Sequence, residues 1–129
     1  MRLIWIALGS AIGGTLRYAL DQFVSGLSAD ALPVSTFIIN LSGSLWIGYL
    51  SGLWAGPTAR YADKWHFWIT GVCGGYTTFS AFSWELIQLV QEGHSQLAGF
   101  YAASSVMCGL FAVWMGVSLA LRRQRGGRS

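Results

Sequence analysis

Apolar residues dominate four long stretches, 3–24, 34–54, 65–90 and 96–121, and polar or turn-forming residues gather between them. Each stretch has about the 20 residues that a helix rising 1.5 Å per residue needs to cross the hydrocarbon of a bilayer. Gly26, Ser28, Asp30 and Pro33 close the first, and Gly56 and Pro57 open a loop with Arg60, Asp63 and Lys64 before the third. The pattern predicts an all-α membrane protein of four transmembrane helices in a single domain, ending in a basic tail over residues 122–129. The third stretch is interrupted near its middle by Gly71, Gly74, Gly75, Tyr76, Thr77 and Thr78. Glycine costs a helix about 1 kcal/mol relative to alanine, so a break is predicted there. Non-helical backbone at membrane depth must meet protein, water or an ion. Two readings stay open at this point: an ion site built from main-chain carbonyls, or a glycine notch for close helix packing.

Composition narrows the class. Residues are 53% hydrophobic and 10% charged, outside ordinary soluble usage. The few ionisable groups inside the apolar runs, notably Arg17, His66 and Glu85, each demand a reason. The net charge of +3 does not point to nucleic acid, because four of the eight basic residues are Arg122, Arg123, Arg125 and Arg128, which a cytoplasmic, lipid-facing tail explains. Arg2, Arg60, Lys64 and that tail fall on one side of the predicted topology, whereas the two opposite loops carry only acids. Both termini are therefore expected in the cytoplasm, in a multi-pass protein of the cell (inner) membrane. Trp54, Tyr61, Trp65 and Trp68 form the expected interfacial belt. Cys73 and Cys108 match no zinc or redox spacing and read as reduced packing residues. The N-terminus has the look of a secretory signal, but the apolar pattern continues past Arg17 and three more spans follow, which favours an uncleaved first helix. Small residues recur four apart at Gly9 and Gly13 and at Ser44, Gly48 and Gly52, as helices in close contact require. Four short spans enclose little volume, so a polar path is expected between two copies.

Candidate chemistry centres on the third stretch. No lysine follows its glycines, which excludes a phosphate-binding loop. Phe79, Phe82 and Glu85 share one helical stripe, and Ser80 and Ser83 a parallel one. Phenylalanines so spaced serve either as packed core or as positive ring edges facing a small anion, with the serine hydroxyls donating beside them. Asn40, in the second stretch, offers two N–H donors to an anion or to a neighbouring helix. Arg17 lies about 22 Å along the first helix, where it snorkels or draws anions into a vestibule. Glu85 would repel an anion if ionised and is given a structural or gating role.

These residues, in this order, resemble the Fluc (CrcB) family of small fluoride channels over essentially the whole chain. The likeness rests on Gly13-Gly14-Thr15-Leu16-Arg17-Tyr18, on Thr36-Phe37-Ile38-Ile39-Asn40-Leu41, and above all on Gly74-Gly75-Tyr76-Thr77-Thr78-Phe79-Ser80-Ala81-Phe82-Ser83. The resemblance implies an antiparallel, dual-topology dimer with two fluoride pores, and a structural sodium ion at the dimer centre held by main-chain carbonyls matching Gly74 and Thr77 of both copies. It implies pore roles for Phe79, Phe82 and Asn40, a vestibule role for Arg17, polar-track roles for Ser80, Ser83 and Thr36, and fourth-helix positions near the pore at Tyr101 and Ser105. The chain departs from the family pattern at Ala81, where threonine is common, at Tyr76, where leucine is usual, and at Gly109, where some members have serine. Its basic asymmetry is also strong for a protein that inserts both ways. A homodimer is favoured, and pairing with an oppositely oriented relative is the alternative.

The residues suit the task the resemblance implies. Fluoride is small and strongly hydrated, so a pore must replace its water with closely spaced donors behind a narrow aromatic gate. Two other functions compete. A proton-coupled small multidrug exporter needs a membrane-embedded carboxylate, for which only Glu85 is placed once Asp21 is set aside. A non-transporting assembly subunit would pass no ion.

Overall fold

The computed structural model describes residues 2–26, 33–54 and 62–126, and all regular structure among them is helical. The sequence assignments on Ser28, Asp30, Gly56, Pro57, Arg60, Tyr61 and Arg128 lie outside the described residues. Helix α1 spans Arg2–Ser25 and α2 spans Val34–Leu53. Helix α3 covers residues 62–76 and is not uniform: Trp65–Cys73, between the short α-helical ends Ala62–Lys64 and Gly74–Tyr76, has the wider π-helical winding. That winding is rare and concentrates at functional sites. Helices α4, Phe79–Gln91, and α5, Ser95–Gly126, complete the chain. The last helix runs through Arg122, Arg123 and Arg125, so the described part of the basic tail is helical.

Two helix pairs are built on glycine. Gly9 and Gly13 of α1 face Gly71, Val72 and Tyr76 of α3, and a Cβ added to Gly75 would lie 2.5 Å from the Ser10 carbonyl oxygen and 2.8 Å from Ser10 Cα. In the second pair, Gly48 and Gly52 of α2 face Val113, Val117 and Ala120 of α5, and a Cβ on Gly116 would stand 2.6 Å from the Tyr49 nitrogen. Residue numbers rise together across each pair, so each runs parallel. Lipid tails are as apolar as leucine and give such helices little hydrophobic drive to associate, which leaves close backbone contact as the source of attraction. Side-chain bonds add to it at the helix ends. Ser35 Oγ donates to Asp21 Oδ1 at 2.6 Å, joining the end of α1 to the start of α2. Gln124 Nε2 donates to the Gly52 and Leu53 carbonyls at 3.1 and 2.9 Å, which satisfies acceptors that α2 leaves unpaired at its C-terminus.

Helices α1 and α5 are long and apolar enough to cross a membrane. On α5, Phe100, Met107, Leu110, Phe111 and Trp114 are exposed, an apolar face suited to acyl chains rather than to water. Inside, Leu89, Ala98 and Tyr101 form a small core with Phe37, Phe82, Leu86 and Leu97, which fixes α4 against α2 and α5.

Candidate functional site

Between α3 and α4 the backbone leaves the helix for two residues. Thr77 (φ −75°, ψ 156°) and Thr78 (φ −146°, ψ 125°) are extended, and winding resumes at Phe79. The local chemistry explains where it resumes. Thr78 is the N-cap of α4, its hydroxyl oxygen accepting from the Ala81 amide at 3.1 Å, an arrangement worth about 1 kcal/mol. Upstream, the Thr77 amide and hydroxyl both donate to the Cys73 carbonyl, at 3.0 and 2.9 Å, which closes the last turn of α3.

Asn40 holds this extended pair against α2. Its Nδ2 donates to the Thr78 carbonyl at 2.9 Å, and the Thr78 amide donates to its Oδ1 at 2.8 Å. A continuing α-helix would have given that amide to the Gly74 carbonyl; the turn to Asn40 removes the α-helical donor from Gly74. The asparagine has two N–H donors, and the bond to Thr78 uses one.

An open groove of about 320 Å³ runs past these groups, lined by Asn40, Gly43, Ser44, Ile47, Thr77, Thr78, Phe79, Phe82, Ser105 and Val106. Of the residues singled out in the sequence, it brings together Asn40, Phe79, Phe82, Thr77 and Ser105. The phenylalanine rings lie 5.9 Å apart between centroids and are tilted by 42°, and Phe82 in turn meets Tyr101 at 5.3 Å. Phe79 is 79% exposed. Ser105 Oγ is buried and makes no hydrogen bond of ordinary geometry among the described residues.

The remaining candidates lie beside the groove or away from it. Tyr101 and Thr36 are buried and both donate to Glu85, Tyr101 to Oε2 at 2.9 Å and Thr36 to Oε1 by a short bond. Glu85 is thus a junction between α2, α4 and α5. Ser80 Oγ bonds Thr78 Oγ1 at 3.1 Å, and Ser83 Oγ donates to the Phe79 carbonyl at 2.8 Å, so both hydroxyls have local partners. Gly74 is exposed at the end of α3, and Arg17 is half-buried on α1 outside the groove lining. Among the described residues no three His, Cys, Asp or Glu side chains converge. Two contributors carry no role in the sequence reading: Thr78 as cap and brace, and Ser42 as the partner of Tyr76. The cap was readable from a threonine directly before Phe79-Ser80-Ala81; the Ser42 contact has no local signal.

Residues 4–117 match the profile of a family described as CrcB-like protein, Camphor Resistance (CrcB). The chain is 42% identical over 135 residues to the fluoride-specific ion channel FluC 1 of Bradyrhizobium diazoefficiens, covering 100% of this chain and 91% of that one. It is 41% identical over 119 residues to the fluoride-specific ion channel FluC of Rhodospirillum rubrum, covering 90% and 92%. A third relative, the fluoride-specific ion channel FluC of Flavobacterium psychrophilum, is 41% identical over 118 residues, covering 92% and 95%.

Proposed function

Because the chain belongs to the CrcB family, we propose that it is a passive, fluoride-selective channel of the cell membrane, not an enzyme, and that it carries fluoride out of the cytoplasm down its electrochemical gradient. The observation that carries the reading onto this chain is the groove in which Asn40, Phe79, Phe82 and Ser105 converge beside the two-residue break. Its donors are the second N–H of Asn40 and the Ser105 hydroxyl, and ring edges of Phe79 and Phe82 supply weaker positive potential between them. A larger halide has less hydration to lose but does not fit donors spaced for a small anion. Arg17 is assigned to a vestibule, where its charge raises the local anion concentration.

The finer architecture is part of the proposal. Helices α3 and α4 are read as two halves of one membrane span broken at Thr77 and Thr78, which with α1, α2 and α5 makes four crossings. The functional unit is an antiparallel, dual-topology dimer with two pores, and an identical copy is the favoured partner over an oppositely oriented relative. Support comes from the open side of the groove and the exposure of Phe79, because a ring so placed seals a narrow path only against a second protein surface. Gly74 and Thr77 of both copies are assigned the sodium site. The residues suit such an ion in donor type: the Thr78 amide has turned to Asn40, so the Gly74 carbonyl lacks its α-helical donor, and main-chain oxygen is a ligand that a hard cation takes. Sodium held by these carbonyls would supply a positive charge that offsets their partial negative charge.

Fluoride efflux from liposomes holding the purified protein, followed with a fluoride electrode and repeated with chloride, tests the function. Rapid loss of fluoride with retention of chloride is expected. A well-incorporated protein that releases neither ion, or both alike, overturns the reading.

A further inference from the structure

We propose that Tyr76 is a positioning residue, whose hydroxyl, bonded to Ser42, holds the extended pair at Thr77 and Thr78 in register on α2. Ser42 Oγ donates to the Ile38 carbonyl at 2.7 Å and lies 3.1 Å from the Ile39 carbonyl. A serine hydroxyl has one proton. That proton is committed to the backbone of α2, so in the 2.9 Å contact between the two hydroxyls Tyr76 is the donor and Ser42 the acceptor.

The neighbouring glycine makes the contact possible. A Cβ on Gly43 would collide with the Thr77 methyl and lie 3.2 Å from the Tyr76 ring. Gly43 therefore lets both residues settle onto α2. It also lines two cavities, the groove that includes Asn40 and a separate one of about 280 Å³ that includes Ser42 and Tyr76. The break is pinned to α2 by two polar contacts reached from different cavities: Asn40 grips the Thr78 backbone from one, and Tyr76 grips Ser42 from the other. Each contact removes a freedom that the bonds of Thr77 to Cys73 and of Ala81 to Thr78 leave to this backbone. Together they set the orientation of the Gly74 and Thr77 carbonyls within one protomer, before any second copy or cation arrives.

The assignment of those carbonyls to sodium rests on the function proposed above, whereas the clamp itself does not. Two measurements separate the two ideas. In the first, hydrogen exchange of the Thr77 and Thr78 amides is followed in the detergent-solubilised protein without sodium. Tyr76→Phe and Ser42→Ala are each expected to speed exchange about fivefold, the size of one neutral hydrogen bond, and the double variant no further. Ser42→Thr, which keeps the hydroxyl, is expected to exchange as the parent does. Unchanged exchange in Tyr76→Phe, or full additivity in the double variant, overturns the clamp. In the second, fluoride efflux is titrated with sodium, and the half-saturating concentration is expected to rise about fivefold in Tyr76→Phe. Parent efflux indifferent to sodium overturns the sodium assignment alone, and the exchange measurement still decides the clamp.

Discussion

Asn40 and Thr78, 38 residues apart in sequence, exchange two hydrogen bonds, side-chain amide to main-chain amide, in the manner of a paired strand. A side chain does the work that the next turn of helix would have done. The pairing leads to a direct prediction. Asn40→Ala exposes one N–H and one C=O with no replacement partner, at a cost of about 2 kcal/mol or more in a site away from water. Loss of thermal stability together with at least a tenfold drop in fluoride efflux is expected. Retention of parental stability would show that the break holds itself.

The two phenylalanines should separate by stability although both affect transport. Phe82 packs against Tyr101 and the Leu89 core, and Phe79 projects outward. Phe79→Ile is expected to leave the melting temperature of the solubilised protein close to the parent's while efflux falls sharply. Phe82→Ile is expected to reduce both, losing about 1 kcal/mol of ring packing. Equal stability losses would contradict the difference in their surroundings.

Glycine substitutions provide a matched pair within the fold. Gly75→Ala sets a methyl 2.5 Å from a backbone oxygen of α1, where nothing flexible can yield, and is expected to cost about 2 kcal/mol or more or to abolish folded protein. Gly99→Ala, with nothing within 4 Å, is expected to be neutral or stabilising by up to about 1 kcal/mol through helix propensity. Thermal melts followed by gel-filtration fluorescence would read both.

Glu85 distinguishes a channel from a proton-coupled exporter. In Glu85→Gln the amide oxygen still accepts from Thr36 and the amide nitrogen donates to Tyr101, so the junction survives in altered form. Folded protein and fluoride efflux that ignores an imposed pH gradient are expected in both parent and variant. Efflux driven by the gradient in the parent and lost in the variant would favour proton exchange instead.

Much of the architecture was legible because it depends on local quantities. Apolar length marks helices such as α1 and α5, and the cost of consecutive glycines followed by two threonines marks where α3 gives way to α4. The recurrence of Gly9 with Gly13 and of Gly48 with Gly52 likewise marked close contacts, and all four are buried at helix pairs. Helix ends were less legible. The apolar run stops at Leu121, yet α5 continues to Gly126, because Gln124 reaches the last carbonyls of α2 and Arg123 donates to the Tyr49 hydroxyl at 2.7 Å.

The sequence by itself determined that this chain is an apolar helical protein with a glycine-rich interruption and a small set of polar residues that need partners, since hydropathy and helix propensity belong to each residue and its near neighbours. Only the tertiary structure decided which partners they take. Asn40 meets Thr78, Glu85 meets both Thr36 and Tyr101, and Tyr76 meets Ser42, across separations of 16 to 49 residues. Those pairings depend on which turns of helix the glycines bring together, and that register is a property of two packed surfaces at once.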